Sequence, residues 1–106
     1  MAVPLPDSVA GERGAAHGGA AAAFTLYSRN WCHLCDDMLA ALHAFMARRD
    51  RPCTVDVIDV DADPALAARF DELVPVLYGD PAGPEICHYF LDEAALRRHL
   101  GLPAGA

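Results

Sequence analysis

The sequence predicts an α/β domain with the order β-α-β-α-β-β-α, a four-stranded mixed sheet flanked by helices. Short runs of β-branched and aromatic residues alternate with amphipathic stretches, and proline, glycine or a capping aspartate stands at most boundaries. At 106 residues, with 54% hydrophobic and 22% charged side chains, the chain suits one folded domain with a modest core.

Residues 1–22 are rich in Ala, Gly and Pro and read as a flexible tail, residues 23–101 as the folded domain, and residues 102–106 as a C-terminal tail. AFTLYS, ending near Ser28, suits a buried strand. From Cys32 to Arg49 the large apolar residues fall at Cys35, Met38, Leu39, Leu42, Phe45 and Met46, which is one helical face. Asp36 and Asp37 near the start and Arg48 and Arg49 at the end match the helix dipole. After Pro52, CTVDVIDV reads as a second strand. Asp63 before Pro64 is a helix cap, and Leu66, Phe70 and Leu73 mark a short helix that must end before Val74, since Pro75 disfavours helical geometry there. VPVLY gives a third strand, GDPAGPE a turn, and Glu85 to Phe90 a fourth strand. Asp92 caps a last helix through Leu100, with Gly101 beyond its end. The first crossover should make strands one and two parallel, and the tight turn before Glu85 should make the last two antiparallel.

Charge excludes some functions. The net charge is -7, with eight arginines and no lysine, which does not suit a phosphate backbone or an anionic lipid surface. No apolar run approaches the roughly 18 residues of a membrane span, and MAVPLPDSVAGERG lacks the basic and leucine-rich regions of a signal peptide. The expectation is a cytoplasmic monomer without nucleic-acid or membrane partners. In a reducing compartment a close cysteine pair is more often catalytic or metal-binding than a structural bridge.

That pair lies in YSRNWCHLC, residues 27–35. The strand ends near Ser28, so Cys32 falls at the helix N-terminus and Cys35 one turn inside, on the same face but toward the core. Unpaired N–H groups and the dipole favour an anionic sulfur at Cys32, while Asp36 and Asp37 oppose it. An exposed nucleophile beside a sheltered second thiol suits disulfide exchange: Cys32 attacks and Cys35 resolves. Arg29 could steer an anionic thiol substrate, Trp31 should shield the rim of the site, and exposed His33 is more often inert. Zinc would need two more ligands from Cys53, Cys87 and His88, which lie singly in predicted strands, with Cys87 and His88 on opposite faces. Cys53 and Cys87 read as small buried strand residues. Asp56, Asp59, Asp61 and Asp63 lack the glycine and distal glutamate of a calcium loop and read as solvated acids plus a helix cap. Val74-Pro75, at the entry to the third strand, suits a cis bond and would leave the Val74 backbone available to an extended peptide.

YSRNWCHLC, the helix after it, Val-Pro at the third strand and the order of elements resemble the glutaredoxin branch of the thioredoxin superfamily, in particular its small bacterial glutaredoxin-like proteins. The resemblance covers about Phe24 to Leu100. It implies a thioredoxin-like fold, Cys32 as nucleophile, Cys35 as resolving thiol and a cis Pro75. It also implies that Arg29 meets a glutathione carboxylate and that the Val74 backbone pairs with the glutathione cysteine moiety. The chain departs from the family at two points: its centre is CHLC rather than CPYC, and Phe90-Leu91-Asp92-Glu93 stands where a Gly-Gly pair lets glutathione approach the backbone. A thioredoxin would carry CGPC and an acid in the preceding strand, and AFTLYS has none.

The expected function is dithiol-disulfide oxidoreduction on protein or small-molecule disulfides. No tightly bound cofactor is expected. Glutathione or a flavin-dependent reductase would supply electrons, with glutathione the poorer donor. The alternatives are a metal or iron-sulfur binding module on the same fold, and a redox-inert interaction domain.

Overall fold

The computed structural model describes residues 21–103, so the two tails read from the sequence fall almost entirely outside the described residues. Strand β1 (Ala22–Ser28), helix α1 (His33–Ala47), strand β2 (Cys53–Asp59), helix α2 (Pro64–Phe70), strand β3 (Val76–Tyr78), strand β4 (Glu85–His88) and helix α3 (Glu93–Leu100) follow in the expected order, with a 3-10 turn at Val60–Ala62. The sheet is mixed and runs β2-β1-β3-β4. β1 and β2 are parallel over the full register from Ala22↔Cys53 to Ser28↔Asp59, and β3 is antiparallel to both β1 and β4.

Strand alternation divides the core in two. Phe24 and Leu26 of β1, Leu77 of β3 and Cys87 of β4 point to one face, where Met38, Leu42, Phe45 and Met46 of α1 and Leu96 of α3 cover them. Tyr27, Val76 and Tyr78 point to the other face and meet Val60 and Phe70. There the Tyr27 and Phe70 rings stack at 4.4 Å, and Tyr78 stands edge-on to Tyr27 at 5.5 Å. The buried residues of α1 are Cys35, Met38, Leu42, Phe45 and Met46, the face its spacing predicts with Leu39 left at the margin.

Several boundaries are shorter than expected. α1 ends at Ala47 with Arg48 as its C-cap, so Arg48 and Arg49 lie beyond the last turn. Val60 leaves β2 for the 3-10 turn, and Leu73 lies in the turn after α2. β3 begins only at Val76, because the Val74-Pro75 peptide is cis and turns the chain just ahead of the strand. β4 stops at His88 because Tyr89 takes a positive φ of 67°, which no strand continues.

Candidate redox site

The site lies where β1 ends. Continuing the register from Tyr27↔Val76 puts Ser28 across from Pro75, so the loop leaving β1 toward Cys32 rises beside the cis Val74-Pro75 bond. On the far side of β3, the Tyr89 N–H donates to the Pro75 carbonyl at 2.9 Å. Cys32, Pro75 and Tyr89 thus share one end of the sheet.

Trp31, with φ 62°, sits in the left-handed region, which is costly for a bulky residue and sharpens the turn into α1. The next residue, Cys32, takes extended geometry and is the N-cap of α1. Its Sγ accepts a hydrogen bond from the Cys35 backbone N–H at 3.1 Å. This is the bond a capping serine or aspartate would make to the third helical residue, here with sulfur as the acceptor. Cys32 is half-buried and Cys35 is 3% exposed. Burial pushes the Cys35 thiol above its ordinary value, the hydrogen bond with Cys32 adds to that, and the Ser28 hydroxyl and Arg29 backbone act in the other direction. All four cysteines are free thiols. The arrangement therefore offers an accessible sulfur at a helix terminus and a buried one that holds its proton.

Arg29 is placed differently from the expectation that it meets a substrate. Its Nε donates to Asp61 Oδ2 at 3.2 Å and its Nη2 to Asp61 Oδ1 at 3.0 Å. Nη2 also donates to Asp71 Oδ1 at 3.1 Å, and Nη1 to the Asp71 carbonyl at 3.0 Å. Four hydrogen bonds leave the five-donor guanidinium little to offer a carboxylate ligand. The hydrogen bonds to Asp61, then those to Asp71, raise the Arg29 pKa further. Exposed pairs like these add little stability, so their effect is positional: they tie the Cys32 loop to the turn that leads into Val74-Pro75. Tyr89 Oη donates to the Glu72 carbonyl at 2.7 Å and holds the same turn from the other side.

Trp31, expected to shield the rim, stands out in solvent. It is 99% exposed, a free apolar surface beside Cys32. A cavity of about 270 Å³ adjoins the loop, with Asn30, Trp31, Asp36, Val57 and Asp59 among its walls. Pro75 is fully buried, and Val74 stands half-buried just before it. His33 is exposed on the first turn of α1. Cys87 is buried, which pushes its thiol up as well, while Cys53 is half-buried, 3.9 Å from His43 Nδ1. Among the described residues no group of three or more His, Cys, Asp or Glu could hold a metal ion, and no helix is long and apolar enough to cross a membrane. Sequence reasoning missed Asp71 and Tyr89. Each acts through a partner 17 to 42 residues away, and no local pattern marks them.

Comparison with known proteins bears on the family and the fold. None of the curated proteins matches the chain. A solution NMR structure of a Nitrosomonas europaea protein is similar at 31% identity and a TM-score of 0.65, covering 74% of this chain and 89% of that one. An X-ray structure of an X. campestris protein is similar at 36% identity and a TM-score of 0.54, covering 74% and 95%. The family model of the glutaredoxin-like domain (DUF836) matches residues 23–101. The chain therefore belongs to the glutaredoxin-like (DUF836) family and has its thioredoxin-like fold.

Proposed function

We propose that this protein is a dithiol-disulfide oxidoreductase whose centre is the CHLC sequence, with Cys32 as nucleophile and Cys35 as resolving thiol. The observation that carries the reading is the Cys32 sulfur in the N-cap position of α1, hydrogen-bonded by the Cys35 N–H at 3.1 Å, with the Cys35 side chain buried behind it. Cys32 attacks one sulfur of a substrate disulfide, forms a mixed disulfide and releases the first thiol. Cys35 then gives up its proton and attacks Cys32, forming the Cys32-Cys35 disulfide; the second substrate sulfur leaves as a thiolate and takes up a proton to become the second thiol. Two electrons pass from the dithiol to the substrate, and an external thiol or a reductase restores the pair. The Val74-Pro75 bend beside the loop, half-buried at Val74, serves as the ledge for the substrate backbone, and no tightly bound cofactor takes part. A reducing, cytoplasmic setting would keep the pair in the dithiol form that this reaction needs.

The test is turnover of a neutral disulfide, bis(2-hydroxyethyl) disulfide, with dithiothreitol as reductant. Cys32→Ser should abolish turnover and Cys53→Ser should retain it. Full activity in the Cys32→Ser protein would remove the assignment.

A further inference from the structure

The charge around the thiol pair selects its substrate. We infer that this centre prefers disulfides carrying positive charge beside the sulfur over anionic ones such as glutathione disulfide, with Trp31, Val57, Asp36 and Asp59 forming the surface that makes the distinction. The inference rests on the oxidoreductase reading and adds the substrate class to it.

Arg29 is the cation nearest to Cys32 in the chain, and its guanidinium makes both oxygen contacts to Asp61 and two contacts to Asp71. The pairs oppose one positive charge with two negative ones, so this side of the loop is net acidic. Arg29 itself lines the adjoining cavity, where two further carboxylates, Asp36 and Asp59, outnumber it. The Asp36 N–H donates to the Cys32 carbonyl at 3.2 Å, which sets this residue one turn above the sulfur, and its carboxylate has no partner among the described residues. Asp59, at the end of β2, uses one oxygen to accept from the Asp61 N–H at 2.9 Å.

Val57 and Trp31 are the apolar members of this otherwise polar surface. Val57 pairs with Leu26 in the sheet and shares its face, yet it is 48% exposed where the buried Leu26 is 1% exposed. The sheet is thus left uncovered at the C-terminal end of β2, next to fully exposed Trp31. A surface that sets Val57 and Trp31 beside two carboxylates fits the alkyl arm and ammonium or guanidinium of a lysine, an arginine or a small aminoalkyl disulfide. It repels a carboxylate in the same place. Opposite charge near the reacting sulfur raises the encounter rate, and salt screens that gain.

Single-turnover oxidation of the reduced protein tests this without any added reductant. Each disulfide takes two electrons from the Cys32-Cys35 dithiol, leaving the protein disulfide and two small thiols. The probes are cystamine (dication), bis(2-hydroxyethyl) disulfide (neutral) and dithiodiglycolate (dianion), each rate being divided by that probe's rate with dithiothreitol. At low ionic strength the corrected cystamine rate should exceed the dithiodiglycolate rate by about 10-fold or more, and the gap should close to about 2-fold in 1 M salt. Asp36→Asn with Asp59→Asn should shrink the low-salt ratio at least about 3-fold. Asp50→Asn removes the same charge at the opposite end of the sheet and should leave the ratio in place; Asp50 has a φ of 50°, a conformation asparagine also takes. Two cystine peptides, flanked by lysine or by glutamate, should differ in the same direction. Whether the lysine peptide or cystamine is faster separates a protein substrate from a small one, and both orders uphold the charge preference. Equal corrected rates for the three probes would overturn the inference, as would a ratio that falls equally in Asp50→Asn. Oxidation that persists in Cys32→Ser would instead count against the oxidoreductase reading.

Discussion

Among the described residues three α-helices begin with a side-chain cap, and one of them uses sulfur. Asp63 caps α2 through the Ala65 N–H at 2.9 Å, and Asp92 caps α3 through the Ala95 N–H at 3.1 Å. Cys32 takes the same extended backbone conformation and makes the same bond as Asp92, to the third residue of its helix, at the same 3.1 Å. A thiol is a weaker acceptor than a carboxylate or hydroxyl, and cysteine is not among the favoured capping residues. α1 therefore begins with a less stabilising cap than its two neighbours, at the one helix start that holds a cysteine pair. Under the proposed function, the same N–H groups serve stability where an oxygen meets them and reactivity where a sulfur does.

The largest effect that would break this contrast is on disulfide exchange. Cys35→Ser should leave the first attack intact but stop resolution, so a mixed disulfide accumulates and dithiol turnover is lost; intact-mass measurement detects the adduct. Next, Asp92→Ala should remove about 1 kcal/mol of stability in urea titration while exchange continues unchanged. The converse substitution sharpens the contrast: Cys32→Asp should keep or raise stability, by up to about 1 kcal/mol, in a protein with no exchange activity. If Cys32→Asp were as destabilised as Asp92→Ala, the shared capping geometry would not carry the energetic meaning given to it here.

A smaller effect is in pH. Burial raises the Cys35 pKa in the folded protein, so the unfolded chain loses that proton first as pH rises. The folded-state value lies above the unfolded one, and the corresponding stability is present below the ordinary thiol range. It should decline above about pH 8.5, and less so in Cys35→Ala. Urea midpoints at pH 7 and pH 9.5 measure it. The smallest change is expected at Cys53, half-buried on edge strand β2, where Cys53→Ser should shift stability by about 0.5 kcal/mol or less.

Much of the fold was legible along the chain because its signals are local. Apolar spacing in Met38, Leu42, Phe45 and Met46 sets the buried face of α1, and Asp63, Asp92 and Gly101 mark helix ends by their own side chains or backbone. Gly101 has the φ of 74° that such an end requires. The position of Cys32 at the helix start followed from the same punctuation. What the sequence did not carry was set by distant contacts. Arg29 looked like a free cation beside the thiols, but Asp61 and Asp71 reach it from 32 and 42 residues away. Trp31 looked like a cover for the site, yet its positive φ turns the chain and leaves the ring in solvent. Val57 sits in an apolar strand pattern, and only the reach of α1 across the sheet decides that it stays uncovered.

The role of Cys32 is open to one direct measurement. The Cys35→Ser protein, incubated with bis(2-hydroxyethyl) disulfide and mapped by peptide mass spectrometry, should carry its adduct on Cys32, with Cys53 and Cys87 unmodified on the same timescale. An adduct first on Cys53, or none on Cys32, would contradict the account.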